Sequence, residues 1–155
     1  MHVVIAAVGV PRREPLGVAI RDYETRAARY WPLEIQEVRE ESARATSPDL
    51  VRTREAERLL ARAGDRCHLV ACDEQGVLMQ TREFAEWLQR ERERASHDVV
   101  FMLGGAYGLG DGVLGQAHMR LALARWTMPH DLARLVLAEQ LYRAGTLLRG
   151  EPYHK

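Results

Sequence analysis

Two unbroken apolar stretches, "VVIAAV" at 3–8 and "DVVFMLGG" at 98–105, constrain this chain more than any other feature. Successive side chains of a strand point to opposite faces, so a strand that is apolar throughout must be covered on both sides. Such strands belong to parallel sheets with helices on both faces, and the intervening segments supply the helices. Across residues 14–30 the positions Leu16, Ile20, Tyr23, Ala27 and Tyr30 recur every three or four residues, a helical stripe ended by Pro32. "LEIQEV", 33–38, alternates and predicts a half-exposed second strand. Ser47-Pro48 opens a helix over 48–63, with Leu50, Leu59 and Leu60 inward and Gly64 past its end. "CHLVAC", 67–72, predicts a third strand closed by the turn "DEQG" at 73–76, and Thr81 can cap a helix to Arg94. "MRLALARW", 119–126, predicts a weaker fifth strand. The last helix starts near Asp131 and stops at Gly150, with Leu132, Leu135, Val136, Ala138, Leu141, Tyr142 and Leu148 on its apolar side. The alternation predicts a single α/β domain over residues 1–155, with a mostly parallel sheet of five to six strands and helices on both faces.

Charge narrows the function classes. With 22 basic and 22 acidic residues the net charge is zero, so no global field draws the chain to nucleic acid. Lys155 is the only lysine, and the arginines that make up the rest suit phosphate and carboxylate as planar forks. The most basic stretch holds Arg12, Arg13, Arg21, Arg26 and Arg29. The opening "MHVVIAAVGV" lacks the basic region and cleavage site of a signal peptide, and no run approaches a membrane span. Cys67 and Cys72 lie on opposite faces of one strand, against a disulfide or shared metal ligation, and the simplest reading is a cytoplasmic protein with reduced thiols. The histidines lack the spacing of a zinc site, so no metal is expected.

In open α/β sheets ligands bind beyond the carboxyl ends of the strands. Three such ends are unusual here: Cys72-Asp73, "LGGAYGLG" at 103–110, and "ARWTMPH" at 124–130. The glycines Gly104, Gly105, Gly108 and Gly110 permit close approach of a ligand to the backbone. The loop matches neither the dinucleotide fingerprint nor a Walker loop, and no nucleophile elbow occurs. His130 follows Pro129 at the entry of the last helix. Arg134 and Arg143 lie nine positions apart on that helix, on opposed faces, where a solvated face is the default for each. The tail "GEPYHK" puts Tyr153 and His154 where a frayed end would carry small polar residues.

"FMLGGAYGLG" followed by "RWTMPHDLARLVLAEQLYRAGTLLRGEPYHK" resembles the ribosomal RNA large subunit methyltransferase H family, small enzymes of the SPOUT class. "AAVGV", "RDYETRAARYWPLEIQEV" and "HLVACDEQG" match in the same order, so the similarity spans the chain. The resemblance implies transfer of a methyl group from S-adenosylmethionine to N3 of a pseudouridine in helix 69 of 23S rRNA, on the assembled ribosome. It also implies a homodimer and a C-terminal trefoil knot, the knotted cofactor-binding part covering about 98–155. Carried over by position, the cofactor pocket is Cys72, Gly105 and the loop Ala124, Arg125, Trp126, Thr127, Met128 and Pro129, with Gly104 and Gly108 in support. His130, Arg143, Tyr153 and His154 match the polar residues around methyl transfer. Cys72 stands where the family more often has leucine. Three alternatives stay open at this point: a SPOUT enzyme acting on another RNA such as tRNA, a nucleotide-binding oxidoreductase, and a non-catalytic α/β binding protein.

Overall fold

A computed structural model describes residues 1–12, 14–42, 44 and 47–153. Its centre is a five-stranded sheet in the order β2-β1-β4-β3-β5, parallel throughout. The strands are β1 (Val3–Val8), β2 (Leu33–Val38), β3 (Cys67–Leu78), β4 (Asp98–Leu103) and β5 (Met119–Ala122). The helices are α1 (Leu16–Ala27), α2 (Pro48–Leu60), α3 (Thr81–Arg94), α4 (Asp111–Gln116) and α5 (His130–Leu148).

The period-two rule divides β1 cleanly. Val3, Ile5 and Ala7 join Phe101, Phe84, Leu88, Leu137 and Leu141 in a core under α1, α3 and α5. Val4, Ala6 and Val8 join Val100, Met102, Ala56, Leu59 and Val113 in a second core under α2 and α4. Cys67 and Cys72 fall into different cores and both are free, as their spacing requires.

Several local expectations need correction. The stretch 73–76 does not end β3. It forms a bulge between Cys72 and Val77, after which β3 resumes pairing with β5 as far as Leu78. Gly76 makes this possible, because a Cβ there would stand 2.5 Å from the Arg120 backbone carbon and oxygen. Strands β4 and β5 end earlier than the apolar runs suggested, at Leu103 and Ala122, where the backbone turns into loops. Leu50 and Leu132, each in a first helical turn, are exposed rather than inward, and Val51 and Leu137 are the buried residues instead. Gln80, not Thr81, caps α3: its N–H donates to Glu83 Oε2 at 2.7 Å in a capping box, while Thr81 Oγ1 donates to Gln140 Oε1 at 2.9 Å. The short helix α4 has no sequence signal because two of its six residues are glycine.

Arg134 is the largest departure. It is buried rather than solvated, donating from Nε to Glu24 Oε1 at 2.6 Å and from Nη1 to Glu37 Oε1 at 2.7 Å. Burial opposes its charge, but the hydrogen bonds it donates to the two carboxylates outweigh that and raise its pKa. One side chain thereby joins α1, β2 and the first turns of α5.

Candidate active site

The chain ends β3, β4 and β5 at the same edge of the sheet, and α5 departs from that edge. The loops after these strands enclose a cavity of about 320 Å³, within the range of small-ligand sites. Cys72 to Gln75 form one wall, the glycine loop a second, and Leu123, Ala124, Trp126, Thr127 and Met128 a third, with His130 and Ala133 of α5 closing the side. The glycine loop folds on itself: Gly108 N–H donates to Gly105 O at 3.1 Å, and the two residues form an isolated antiparallel bridge. Gly108 holds φ +78°, and open space stands where its Cβ would project. Gly104 is needed for the opposite reason, since its Cβ would lie 2.4 Å from the carbonyl carbon of Gly108.

Of the ten residues expected to hold a cofactor, Cys72, Gly104, Gly105, Gly108, Ala124, Trp126, Thr127 and Met128 line this cavity. Arg125 and Pro129 do not. Arg125 turns outward and donates from Nη1 to Glu74 O and Gly76 O, both at 2.9 Å, which clamps its loop to the β3 bulge. Pro129 is the N-cap residue of α5. His130 lines the cavity beside carboxylates, with Nε2 3.4 Å from Asp131 Oδ1 and 3.8 Å from Glu40 Oε1. Sequence reasoning missed Arg52 of α2 and Leu114 of α4, which reach the cavity across the sheet edge. No local pattern marks either of them. Behind the glycine loop lies Glu55, whose carboxyl is pushed up in pKa by burial despite the Glu41 N–H bond it accepts at 3.0 Å. A Cβ on Gly105 would meet its Oε2 at 2.7 Å.

Arg143 and Tyr153 belong to a different cluster. From His130 to Arg143, α5 advances about 20 Å at 1.5 Å per residue. There Arg143 donates from Nε and Nη2 to Glu139 Oε1 at 2.8 and 2.6 Å. Tyr153 packs on Tyr142 with ring centroids 4.6 Å apart, and its hydroxyl donates to the same Glu139 oxygen at 3.2 Å. Arg143 lies 4.8 Å over the Tyr153 ring. Tyr30 hydrogen-bonds Glu151, which holds the Tyr30 hydroxyl proton to a pKa of about 12. The tail up to Tyr153 is thus tied down by named partners. His154 lies outside the described residues. The fold therefore brings His130 to the loops that line the cavity and leaves Arg143 and Tyr153 at the far end of the same helix.

The Cys72 thiol is pushed up to about 12, first by burial and then by the neighbouring Asp73. A raised thiol pKa means less thiolate at every pH below it, here about a thousandfold less than an ordinary thiol near pH 8. Iodoacetamide at pH 8 should therefore leave Cys72 unmodified in the folded protein and alkylate it in urea, as read by peptide mass spectrometry. Alkylation at the rate of a free thiol would contradict the enclosed wall described above.

Comparison with known proteins bears directly on this arrangement. A family model described as "Predicted SPOUT methyltransferase" matches residues 1–154. A ribosomal RNA large subunit methyltransferase H from Gemmatimonas aurantiaca is 57% identical over 155 residues, covering 100% of both chains. Proteins of the same description from an Anaeromyxobacter species and from Clostridium kluyveri are 45% and 33% identical, again over 100% of each chain. The chain belongs to the ribosomal RNA large subunit methyltransferase H family of SPOUT methyltransferases. Solved structures agree on the fold alone. A probable methyltransferase from Bordetella pertussis aligns with a TM-score of 0.56 at 16% identity, over 92% of this chain and 95% of that one. A probable methylase family protein from Haemophilus influenzae aligns at 0.54 and 17%, over 99% and 70%. In open parallel α/β sheets, ligands bind beyond the carboxyl ends of the strands, the edge at which this cavity lies. Among the described residues no helix is long and apolar enough to cross a membrane.

Proposed function

We propose that the chain methylates N3 of a pseudouridine in helix 69 of 23S rRNA on the assembled ribosome, using S-adenosylmethionine. The observation that carries the reading is the cavity at the three strand ends, lined by eight of the ten residues expected around the cofactor. The fit is chemical as well as positional. Leu103, Leu109, Leu114, Leu123 and Met128 offer apolar walls, and the uncharged Cys72 thiol adds another. The backbone of loop 124–128 offers N–H and C=O groups to a purine edge, and the open space at Gly108 admits a ligand against the chain. S-adenosylmethionine supplies the electrophilic methyl group when bound. Everything else falls to side chains that orient the uracil ring and accept its N3 proton.

His130 stands at the cavity wall. The proposed proton acceptor is His154, whose ring type titrates near neutrality, with Tyr153 packing on the target base and Arg143 offering its remaining N–H groups to a phosphate or the developing imidate oxygen. Because Tyr153 sits about a helix length from its own cavity, the reading requires a homodimer in which each tail completes the partner's site. Trp126, 84% exposed on the cavity rim, and the exposed Val77, Leu78 and Leu132 near the same edge suit such an interface. A knotted path through residues 98–155 is part of the same proposal. The arginines in and just before the first helix contribute little field: Arg12, Arg21 and Arg26 each pair with a carboxylate, at 3.4, 2.7 and 2.8 Å, while Arg13 lies outside the described residues. An intact ribosome, with its larger recognition surface, fits a protein with so modest an electrostatic footprint.

The test is methylation of 70S ribosomes from a strain lacking the enzyme, with the product mapped by mass spectrometry. Methyl transfer to tRNA rather than to helix 69 would overturn the target. Sharing of the site is tested by mixing a chain lacking residues 151–155 with a Gly104→Ala chain, each expected to be inactive alone. Mixed dimers should recover activity toward the statistical fraction of complete sites, and no recovery would assign the tail to its own subunit.

A further inference from the structure

At the sheet edge opposite the cavity, three residues far apart in sequence converge: His68 at the start of β3, Glu91 in the last turn of α3, and His97 just before β4. Their ligand atoms all lie within 4.8 Å of one another. Glu91 is buried, its carboxylate only 2% exposed, and Oε2 lies 3.3 Å from His68 Nδ1 and 2.6 Å from His97 Nε2. We infer that His68, Glu91 and His97 form a binding site for a zinc-class divalent ion, with water completing a four-coordinate shell.

Three observations support the site. Ligand atoms bound at 2.0–2.2 Å in a tetrahedron stand about 3.3 Å apart, the spacing already present between Glu91 and His68. The His97 contact has to open by less than 1 Å, which a ring on a loop can supply. Orientation is also provided from outside the ligand set. Ser96 Oγ lies 2.8 Å from His97 Nδ1 and can accept that N–H, leaving the Nε2 lone pair toward the carboxylate, the arrangement usual for a metal-bound histidine. Finally, Ala95 holds the left-handed conformation, φ +47°, that glycine usually provides at a helix end. This turn brings His97 back over Glu91.

The ligand set can be bounded from the same contacts. The His118 ring lies 5.3 Å from that of His68, tilted by 45°, but its Nδ1 accepts the Leu69 N–H at 3.1 Å, so in the neutral ring the proton resides on Nε2. It is a neighbour and not a ligand. Arg94 occupies Glu91 Oε1 at 3.1 Å, leaving Oε2 for the ion, and its own side chain is 64% exposed, which weakens its repulsion of a cation. Trp87, edge-on to His68 at 5.6 Å, closes the apolar side. A bound ion would fasten the end of α3 to the starts of β3 and β4, far from the methyl-transfer loops.

The experiment is a titration of the untagged, metal-stripped protein with Co²⁺, followed by displacement with Zn²⁺. The expected result is visible tetrahedral Co²⁺ absorption saturating at one ion per chain, with affinity lowered about tenfold or more in His97→Asn. Absence of saturable binding, or a smaller loss in His97→Asn, overturns the site. A second measurement needs no variant: Zn²⁺ should shift the ring ¹⁵N resonances of His68 and His97 in the wild-type chain. Shifts confined to His118 or His130 would overturn the assignment.

Discussion

Gly104→Ala should raise the dissociation constant for S-adenosylmethionine about a hundredfold, a loss of about 2.7 kcal/mol, as measured by calorimetry. The added methyl group would lie 2.4 Å from the Gly108 carbonyl carbon and 2.7 Å from the Leu109 nitrogen, both backbone atoms that no side-chain rotation can move aside. Relief requires the loop to open, and the loop is closed by the Gly105–Gly108 bridge that shapes the cavity wall. The distortion therefore falls on the surface assigned to the cofactor. Gly64→Ala is the control, since nothing lies within 4 Å of a Cβ there. Unchanged affinity in Gly104→Ala, with circular dichroism showing a folded chain, would move the cofactor out of this cavity.

Arg134→Met should destabilise the chain by about 3–5 kcal/mol, the cost of stranding the buried Glu24 carboxylate without its cation. For a chain of this size that lowers Tm by about 10 °C. Glu24 is itself buried, and Glu37 shares the same guanidinium. The double variant Arg134→Met, Glu24→Gln should recover part of the loss, because one of the two orphaned charges is gone. Arg134→Lys should not substitute, since one ammonium cannot reproduce the two directed bonds of the fork. Equal melting of Arg134→Met and wild type would mean that water screens this site and that the ion pair is inconsequential. The effect should reach function too, because Arg134 lies one turn beyond His130 and anchors the end of α5 that walls the cavity.

The legible part of the fold was the part written in periodicity. The apolar runs of β1 and β4 announced a sheet covered on both sides, and the helical stripe from Leu16 to Tyr30 announced α1. What stayed hidden depends on contacts between distant segments. Nothing near Arg134 in sequence hints that Glu24 and Glu37 will meet it, so a charged residue on a helix reads as solvated. Likewise "DEQG" has the composition of a turn, and only the fit of Gly76 against Arg120 shows why β3 can bulge and continue. The cavity was legible because its glycines and loops occur at strand ends; Arg52 and Leu114 were not, because they arrive from helices with no pattern of their own. His68, Glu91 and His97 lack metal-ligand spacing along the chain, and the parallel pairing of β3 with β4 is what places them together.

The strand order also sets a timetable for folding. β1 lies between β2 and β4, and β3 pairs only with β4 and β5. As the chain emerges from the ribosome at about 5–20 residues per second, β1 and β2 can associate early, but β3 has no neighbour until Asp98–Leu103 appears. The apolar run 3–8 must wait for β4 as well, with one edge unpaired for most of synthesis. A nascent chain of this design exposes its stickiest strand before it can bury it, so brief shielding by a holdase should raise its yield. Insertion of β4 between two strands already made then joins the two halves of the sheet.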